Sequence, residues 1–328
     1  MARIFIDGFE SGGADLWDSL SGSVVAARTG HSGSYCLNLS SLMNYIQRAL
    51  PADDEYYFAF KYEPVAGDFH SLSVLALYAG STLLVQVRRL ATTGYLAAYR
   101  GTTQIQAATT KPVLVSGGIR LIEARVKIHD TAGVVQVKVD GEMVIDFSGD
   151  TKPGTDTQIN MLTLGAAGSG NYGYAYYDDF IVDDADWIGN TKIQAILPNA
   201  AGSSTQWDPS AGNNYDCVDE RPASDTDYVS TNTVDEIDLY AASNLSGSIG
   251  SVKCVQLQAR CAYEGSPTPT HLQLGLRSGG ANYFSADKTP PVSFGQSVYA
   301  LWYTNPADSE AWEEADVNAL EIGFKATA

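Results

Sequence analysis

Five aspartates crowd the sixteen residues AYYDDFIVDDADWIGN, Ala175 to Asn190: Asp178, Asp179, Asp183, Asp184 and Asp186. Carboxylates this dense could hold a divalent cation or, in pairs, move protons. Calcium asks for ~6–8 oxygen ligands, usually from a dedicated loop. No DxDxDG-type loop is present, which leaves Asp178 or Asp184 with loop carbonyls as the conceivable Ca²⁺ arrangement. The plainer reading is a strand end running into a solvated linker. In a strand, Tyr176, Asp178, Phe180 and Val182 share one face, and Tyr177, Asp179, Ile181 and Asp183 the other. The acids are therefore expected to be split between faces, and neither metal nor other cofactor is expected. Asp178 shares its face with aromatic residues, so if buried it needs hydrogen-bond donors. The backbone near Gly8 is the expected source.

Other reactive residue types are scattered. The histidines at 31, 70, 129 and 271 show neither His-x-His nor His-Glu-x-x-His spacing. His129 falls on the polar face of its strand, and His271 lies beside a turn. The chain has no Gly-x-Ser-x-Gly elbow, no P-loop and no GxGxxG between strand and helix. Cysteines 36, 217, 254 and 261 lack CxxC spacing; buried free thiols are expected rather than a zinc site. Tyr172, Tyr174, Tyr176 and Tyr177, with Trp187 nearby, could make a sugar-stacking platform. Three of them fall on one strand face, which also suits internal packing.

The elements that would position these groups are almost wholly β. Tyr56, Phe58, Phe60 and Tyr62 share one strand face; Ala124, Val126 and Ile128 share another, opposite Arg125, Lys127 and His129. Val135, Val137 and Val139 lead into Asp140-Gly141, a two-residue hairpin signal, and Met143, Ile145 and Phe147 alternate on the return. The stretch ILPNAAGSSTQWDPSAGNN (196–214) reads as loop. Strands resume at Glu236–Tyr240 and continue through Val255–Cys261, Leu272–Leu276, Ser297–Tyr303 and Ala319–Thr327. SEAWEEADVNAL reads as a short helix capped by Ser309. The spacing predicts an all-β chain of two β-sandwich, jelly-roll-like domains in series, residues 1–188 and 189–328, with the boundary at about 188–192.

The 328 residues carry 20 basic and 38 acidic side chains, a net charge of −18. Up to residue 190 there are 13 basic and 21 acidic residues, and beyond it 7 and 17, so both halves are acidic. Phosphate backbones and anionic membrane surfaces call for Lys/Arg patches, so neither nucleic acid nor membrane insertion is expected. No apolar run approaches ~18 residues. The opening MARIFIDGFE lacks the basic and apolar regions of a secretory signal.

The first half, on FIDGFESGG (5–13), ARVKIHDTAGVVQVKVDGEMVIDF (124–147) and YYDDFIVDD (176–184), resembles the concanavalin A-like, laminin G-like jelly-roll superfamily. That resemblance implies a closing strand paired with the opening one. The second half, on residues 193–231 and AWEEADVNALEIGFKAT (311–327), resembles a β-sandwich module of tailed-bacteriophage virion proteins. It implies a structural component of a phage particle, made in the host cytoplasm, at the tail or on the head. Its partners would be other virion proteins and further copies of itself, and host surface glycans could be contacted. A stand-alone carbohydrate-binding protein or glycan hydrolase is the alternative.

Jelly-roll glucanases of the first superfamily carry an E-x-D-x-E strand. The nearest match, Glu236-Ile237-Asp238-Leu239-Tyr240, lacks the last acid and lies in the wrong half. Glu236 and Asp238 therefore read as the solvent face of a strand, and no enzyme is expected. Trp207, Trp302 and Trp312 read as packing anchors of the second sandwich.

Overall fold

The computed structural model describes residues 3–22, 24–28, 31–39, 44–65, 71–91, 93–113, 118–165, 174–265 and 269–327. The chain forms two compact units, Met1–Ile193 and Gln194–Ala328, and is almost entirely antiparallel β.

The first unit contains β1 (Arg3–Asp7), β2 (Ser19–Ser21), β3 (Val24–Ala27), β4 (Tyr35–Leu39), β5 (Tyr45–Asp53), β6 (Glu55–Pro64), β7 (Leu72–Ala79), β8 (Thr82–Arg89), β9 (Leu96–Arg100), β10 (Thr103–Ala107), β11 (Arg120–Lys127), β12 (Gly133–Val139), β13 (Glu142–Gly149), β14 (Ile159–Gly165) and β15 (Ala175–Asp183). One sheet, sheet A, runs β13-β12-β11-β6-β15-β4-β3, with β1 also on β15. Sheet B runs β10-β9-β8-β7-β14-β5-β2. Between them lies an aromatic core. Trp17 meets Phe5 edge-on at 5.4 Å and Phe180 at the same distance, while Tyr177 packs on Phe60 and Tyr62 at 5.6 and 5.3 Å. The Tyr177 hydroxyl donates to the Val74 carbonyl of sheet B at 3.2 Å. The alternating Tyr56, Phe58, Phe60 and Tyr62 all point into this core.

Two sequence signals appear as read. Asp140 and Gly141 both take positive φ, 51° and 80°, and close the β12–β13 hairpin as a primed turn. β1 pairs with the closing strand β15, Phe5 opposite Val182. The opening FIDGFE is a local knot. Buried Asp7 accepts the Phe9 amide at 2.7 Å and the Trp17 indole N–H at 2.8 Å. Burial pushes the Asp7 carboxyl up to about 7 despite both bonds.

The second unit contains β16 (Pro198–Thr205), β17 (Asp208–Pro209), β18 (Val229–Ser230), β19 (Ile237–Ala242), β20 (Val255–Arg260), β21 (His271–Ser278), β22 (Ala281–Phe284), β23 (Ser297–Trp302), α1 (Glu314–Asn318) and β24 (Glu321–Thr327). A five-stranded sheet, β16-β19-β24-β21-β22, faces the β20–β23 pair. Leu257 and Ala259 pack there against Leu272, Leu274 and Ala300. Trp312 is buried, with Trp302 against the same cluster, and Trp207 packs on Phe324 at 4.6 Å.

Two expectations fail here. Residues 198–205, read as loop, form β16; the edge pairing to β19 is broken by two register shifts, so small residues suffice without apolar alternation. The helix is capped by Glu313, not Ser309. Glu313 and Asp316 form a reciprocal capping box, while Ser309 sits at φ 68° in the preceding turn.

Candidate functional site

The aspartate-rich closing strand is irregular at the point where its neighbour changes. On one edge, β15 pairs with β4 through Ala175–Tyr177 and with β1 through Phe180–Asp183. Between these stretches Asp179 adopts φ 48°, and the register with β6 slips between Asp178 and Ile181. This β-bulge inserts a residue and re-phases the side chains. Tyr177 and Phe180, three apart, both enter the core. Asp178 and Asp179 both turn to the outer face of sheet A, beside Lys61. The split between faces expected from simple alternation is therefore overturned by the bulge.

A buried charged cluster results. The Lys61 ammonium donates to Asp179 Oδ2 at 3.1 Å and to Ser32 Oγ at 3.2 Å. Glu63 Oε2 takes the Arg28 guanidinium at 2.7 Å and meets His31 Nε2 at 2.9 Å. Glu10 accepts the Ser34 and Tyr35 amides. Its carboxylate lies so close to Gly33, at φ 77°, that a Cβ there would meet Glu10 Oε1 at 2.2 Å. Asp178 is fully buried. Its Oδ1 accepts the amide of its own neighbour Asp179 at 2.7 Å, not a donor near Gly8 as expected, because the bulge turns that N–H toward it. Its Oδ2 and His31 Nδ1 face each other at 3.7 Å, beyond hydrogen-bond reach, and neither has a partner. Burial, then the Asp179 charge, pushes Asp178 up to about 8. Burial also lowers His31, so the imidazole is neutral at neutral pH.

Asp184 does not join this cluster. Asp178 lies opposite Lys61, whereas Asp183, adjoining Asp184, lies opposite Tyr57, four residues along β6. Asp183 pairs instead with Arg3 at 3.0 Å and accepts the Ala185 and Asp186 amides.

The residues after β15 lie over the same outer face. Trp187 stands edge-on to Tyr57 at 5.9 Å with the Lys138 ammonium 3.6 Å from its ring centre. Buried Glu123 accepts the Gly189 amide at 2.8 Å, and Asp179 Oδ1 accepts the Ile193 amide at 2.7 Å. Beside this strap opens a cleft of ≈430 Å³ lined by His31, Ser32, Lys61, Ile119, Leu121, Asn190 and Lys192.

Among the described residues Tyr176, Tyr177 and Trp187 do not form the proposed aromatic platform. Tyr172 lies outside the described residues. Tyr177 is in the core, the Tyr176 face is covered by Arg28 at 3.7 Å, and Trp187 is occupied as above. His70 also lies outside the described residues. His129 lies just past the end of β11 and caps the turn, its Nδ1 accepting the Thr131 and Ala132 amides. His271 opens β21. None of the four cysteines is in a disulfide.

The outer face of sheet B differs in character. Cross-strand pairing lines up Ser19, Gln47, Thr163, Ala76, Gln86, Tyr99 and Gln104, one residue from each strand and none of them charged. Their neighbours Leu77, Val85 and Leu162 face inward. Thr163, Ala76 and Gln86 at the centre of the row are buried, while Ser19 and Gln104 at the ends are exposed. Gln47 donates to Thr163 Oγ1 at 3.1 Å, and the Tyr99 hydroxyl to Gln104 Oε1 at 3.0 Å. Next to the row, Arg88 lies over the Tyr99 ring at 5.1 Å, opposite Ser73, whose buried hydroxyl has no partner. Sequence alone hid this row, since its members come from strands spread over residues 19–163. The polar Gln86 inside the apolar LLVQV was the one local hint.

In the second unit, Asp238 is fully buried, not solvent-facing as expected. It accepts the Gln206 amide at 2.9 Å, Asn214 Nδ2 at 2.8 Å and the Tyr240 hydroxyl at 2.6 Å. Glu236 is half-buried and takes the Thr231 hydroxyl. The two point to different partners and form no acid/base pair.

No family model and no curated protein sequence matches this chain. Solved structures similar to it include an endo-β-1,4-glucuronan lyase from the fungus Trichoderma reesei, at 13% identity and TM-score 0.42, over 55% of this chain and 95% of that one. The cellulose-induced protein Cip1 is similar at 14% identity and TM-score 0.43, over 57% and 100%. The carbohydrate-binding module CBM66 from Bacillus subtilis is similar at 8% identity and TM-score 0.35, over 51% and 96%.

Proposed function

We propose that the first unit binds carbohydrate on the outer face of sheet B, without turning it over, and that the second unit attaches it to a larger particle. The carrying observation is the seven-strand row Ser19–Gln47–Thr163–Ala76–Gln86–Tyr99–Gln104. Amides and hydroxyls can donate to and accept from sugar hydroxyls, and Tyr99 offers an aromatic face at one end. A row crossing seven strands ~4.8 Å apart spans nearly 30 Å, the length of several sugar units rather than one. No carboxylate lies in the row, so the paired acids that glycoside hydrolysis uses are missing from it.

The attachment role rests on the resemblance of residues 193–231 and 311–327 to a phage virion module. In the folded chain these two stretches meet, Trp207 against Phe324, so the resembling residues belong to one packed unit. The reading places the protein on a virion, with other virion proteins and further copies of itself as neighbours.

Affinity electrophoresis of the full chain in gels containing neutral glucans, mannans or polyuronates tests the binding. Retardation by at least one polymer is expected, falling by about tenfold in affinity for Tyr99→Ala, since one base- or sugar-sized stacking contact is worth ~1–1.5 kcal/mol. Retardation unchanged in Tyr99→Ala and Gln86→Ala would move the site elsewhere. Side-chain-resolution imaging of purified phage particles tests the attachment: absence of the chain from particles would overturn it.

A further inference from the structure

The cleft on the opposite sheet has a different chemistry, and it stands independently of the sheet B row. This chain carries nearly two acids for every base. Yet the cleft's described lining is two lysines, a histidine, a serine, an asparagine and two aliphatic residues, with no carboxylate. The acids of the cluster sit behind that lining, and two of them are committed to other partners. Asp179 holds Lys61 and the Ile193 amide, and Glu63 holds Arg28 and His31. Lys192 is exposed at the rim and has no acidic partner among the described residues.

The donors are also set up for a ligand. Lys61 gives two of its three protons to Asp179 and Ser32, leaving one for the cleft. Ser32 Oγ accepts from Lys61, so its own proton is available to donate. His31 donates from Nε2 to Glu63, which makes Nδ1 the lone-pair nitrogen. That atom is buried and turned toward Asp178 Oδ2 at 3.7 Å, behind the lining of the cleft. Ile119 and Leu121 supply an apolar patch beside these polar groups. The volume of ≈430 Å³ falls at the small end of ligand sites, the scale of a single ring.

We propose that this cleft is a second binding site, one that takes the carboxylate-bearing ring of an acidic sugar. Lys61 and Lys192 hold the carboxylate. Ser32 and Asn190 address the ring hydroxyls. Ile119 and Leu121 take the apolar face of the ring. A neutral sugar would leave both ammonium groups without their ion. A bare oxyanion would leave the aliphatic patch unused.

Calorimetric titration of the full chain with sodium glucuronate, glucose and inorganic phosphate tests this. Glucuronate is expected to bind saturably and at least about tenfold more tightly than glucose, the scale of one charge-assisted contact. Lys192→Gln, a change at an exposed position, is expected to weaken glucuronate about fivefold or more while leaving sheet B gel retardation and folding intact. Ser32→Ala should weaken it as well. Equal binding of glucose and glucuronate, or no effect of Lys192→Gln, would overturn the proposal. Phosphate binding as tightly as glucuronate and displacing it would also overturn it, by reducing the site to a simple oxyanion cradle. The sheet B reading fails separately, through Tyr99→Ala.

Discussion

Asp178 in the first unit and Asp238 in the second are both fully buried in strands, and the two are treated in opposite ways. Asp238 in β19 receives three donors, from the Gln206 backbone, Asn214 and Tyr240. Asp178 in β15 receives one, from its own neighbour, and its second oxygen faces an equally unsatisfied histidine nitrogen. Burial of a carboxylate costs several kcal/mol unless hydrogen bonds replace the lost water. Asp238 is thus a structural node that ties residues 206–214 to the sheet. Asp178 is under-compensated, and it lies behind a ligand-sized cleft. Polar groups left half-satisfied in a folded protein mark places where something else is expected to bind.

The contrast is broken most directly at Asp238. Asp238→Ala strands two buried donors and the Gln206 amide and is expected to destabilise the second unit by roughly 3 kcal/mol, measured by urea denaturation with fluorescence of Trp207, Trp302 and Trp312 as reporters. A loss below about 1 kcal/mol would show that the donors find other partners. Asp178 sharpens the comparison through pH. Its carboxyl is raised from 3.8 to about 8 in the folded chain, so the folded state binds this proton more tightly than the unfolded state does. Stability from this group is therefore full below about pH 4 and is lost as pH rises toward 8. Asp7, raised to about 7, acts in the same direction over a narrower window. Asp178→Asn is expected to flatten the decline in melting temperature between pH 4 and 8 and to leave the variant more stable than the parent above pH 8. An unchanged slope would mean that Asp178 is solvated. The smallest effect belongs to the strap. Glu123→Ala removes the acceptor of the Gly189 amide. It should cost about 1 kcal/mol and raise hydrogen exchange at Gly189 while leaving the Asp238 region protected. Unchanged protection at Gly189 would show the strap to be held by Trp187 and Ile193 alone.

Most of the strand content was legible because apolar alternation is local. Tyr56–Tyr62, the Asp140-Gly141 hairpin and Leu272–Leu276 each carry their own period and turn signal. β16 was missed because an irregular edge strand needs no apolar face. Asp238 was misread because alternation assigns a face and says nothing about what covers it. The bulge at Asp179 was not legible at all. It exists because β1 and β4 share one edge of β15, and the strand has to re-phase where one partner stops and the other starts.

What the sequence determined alone is what depends on neighbours along the chain: an all-β character, the hairpin, the acidity of both halves and the absence of local catalytic motifs. Tertiary structure decided everything that depends on which strands become neighbours. Pairing set seven uncharged residues in one row, brought Asp178 and Asp179 to the same face, and gathered His31, Lys61 and Lys192 around one cleft. Side-chain direction in a strand follows from local parity, but the partner across the sheet, and so the chemistry of each face, follows from long-range register.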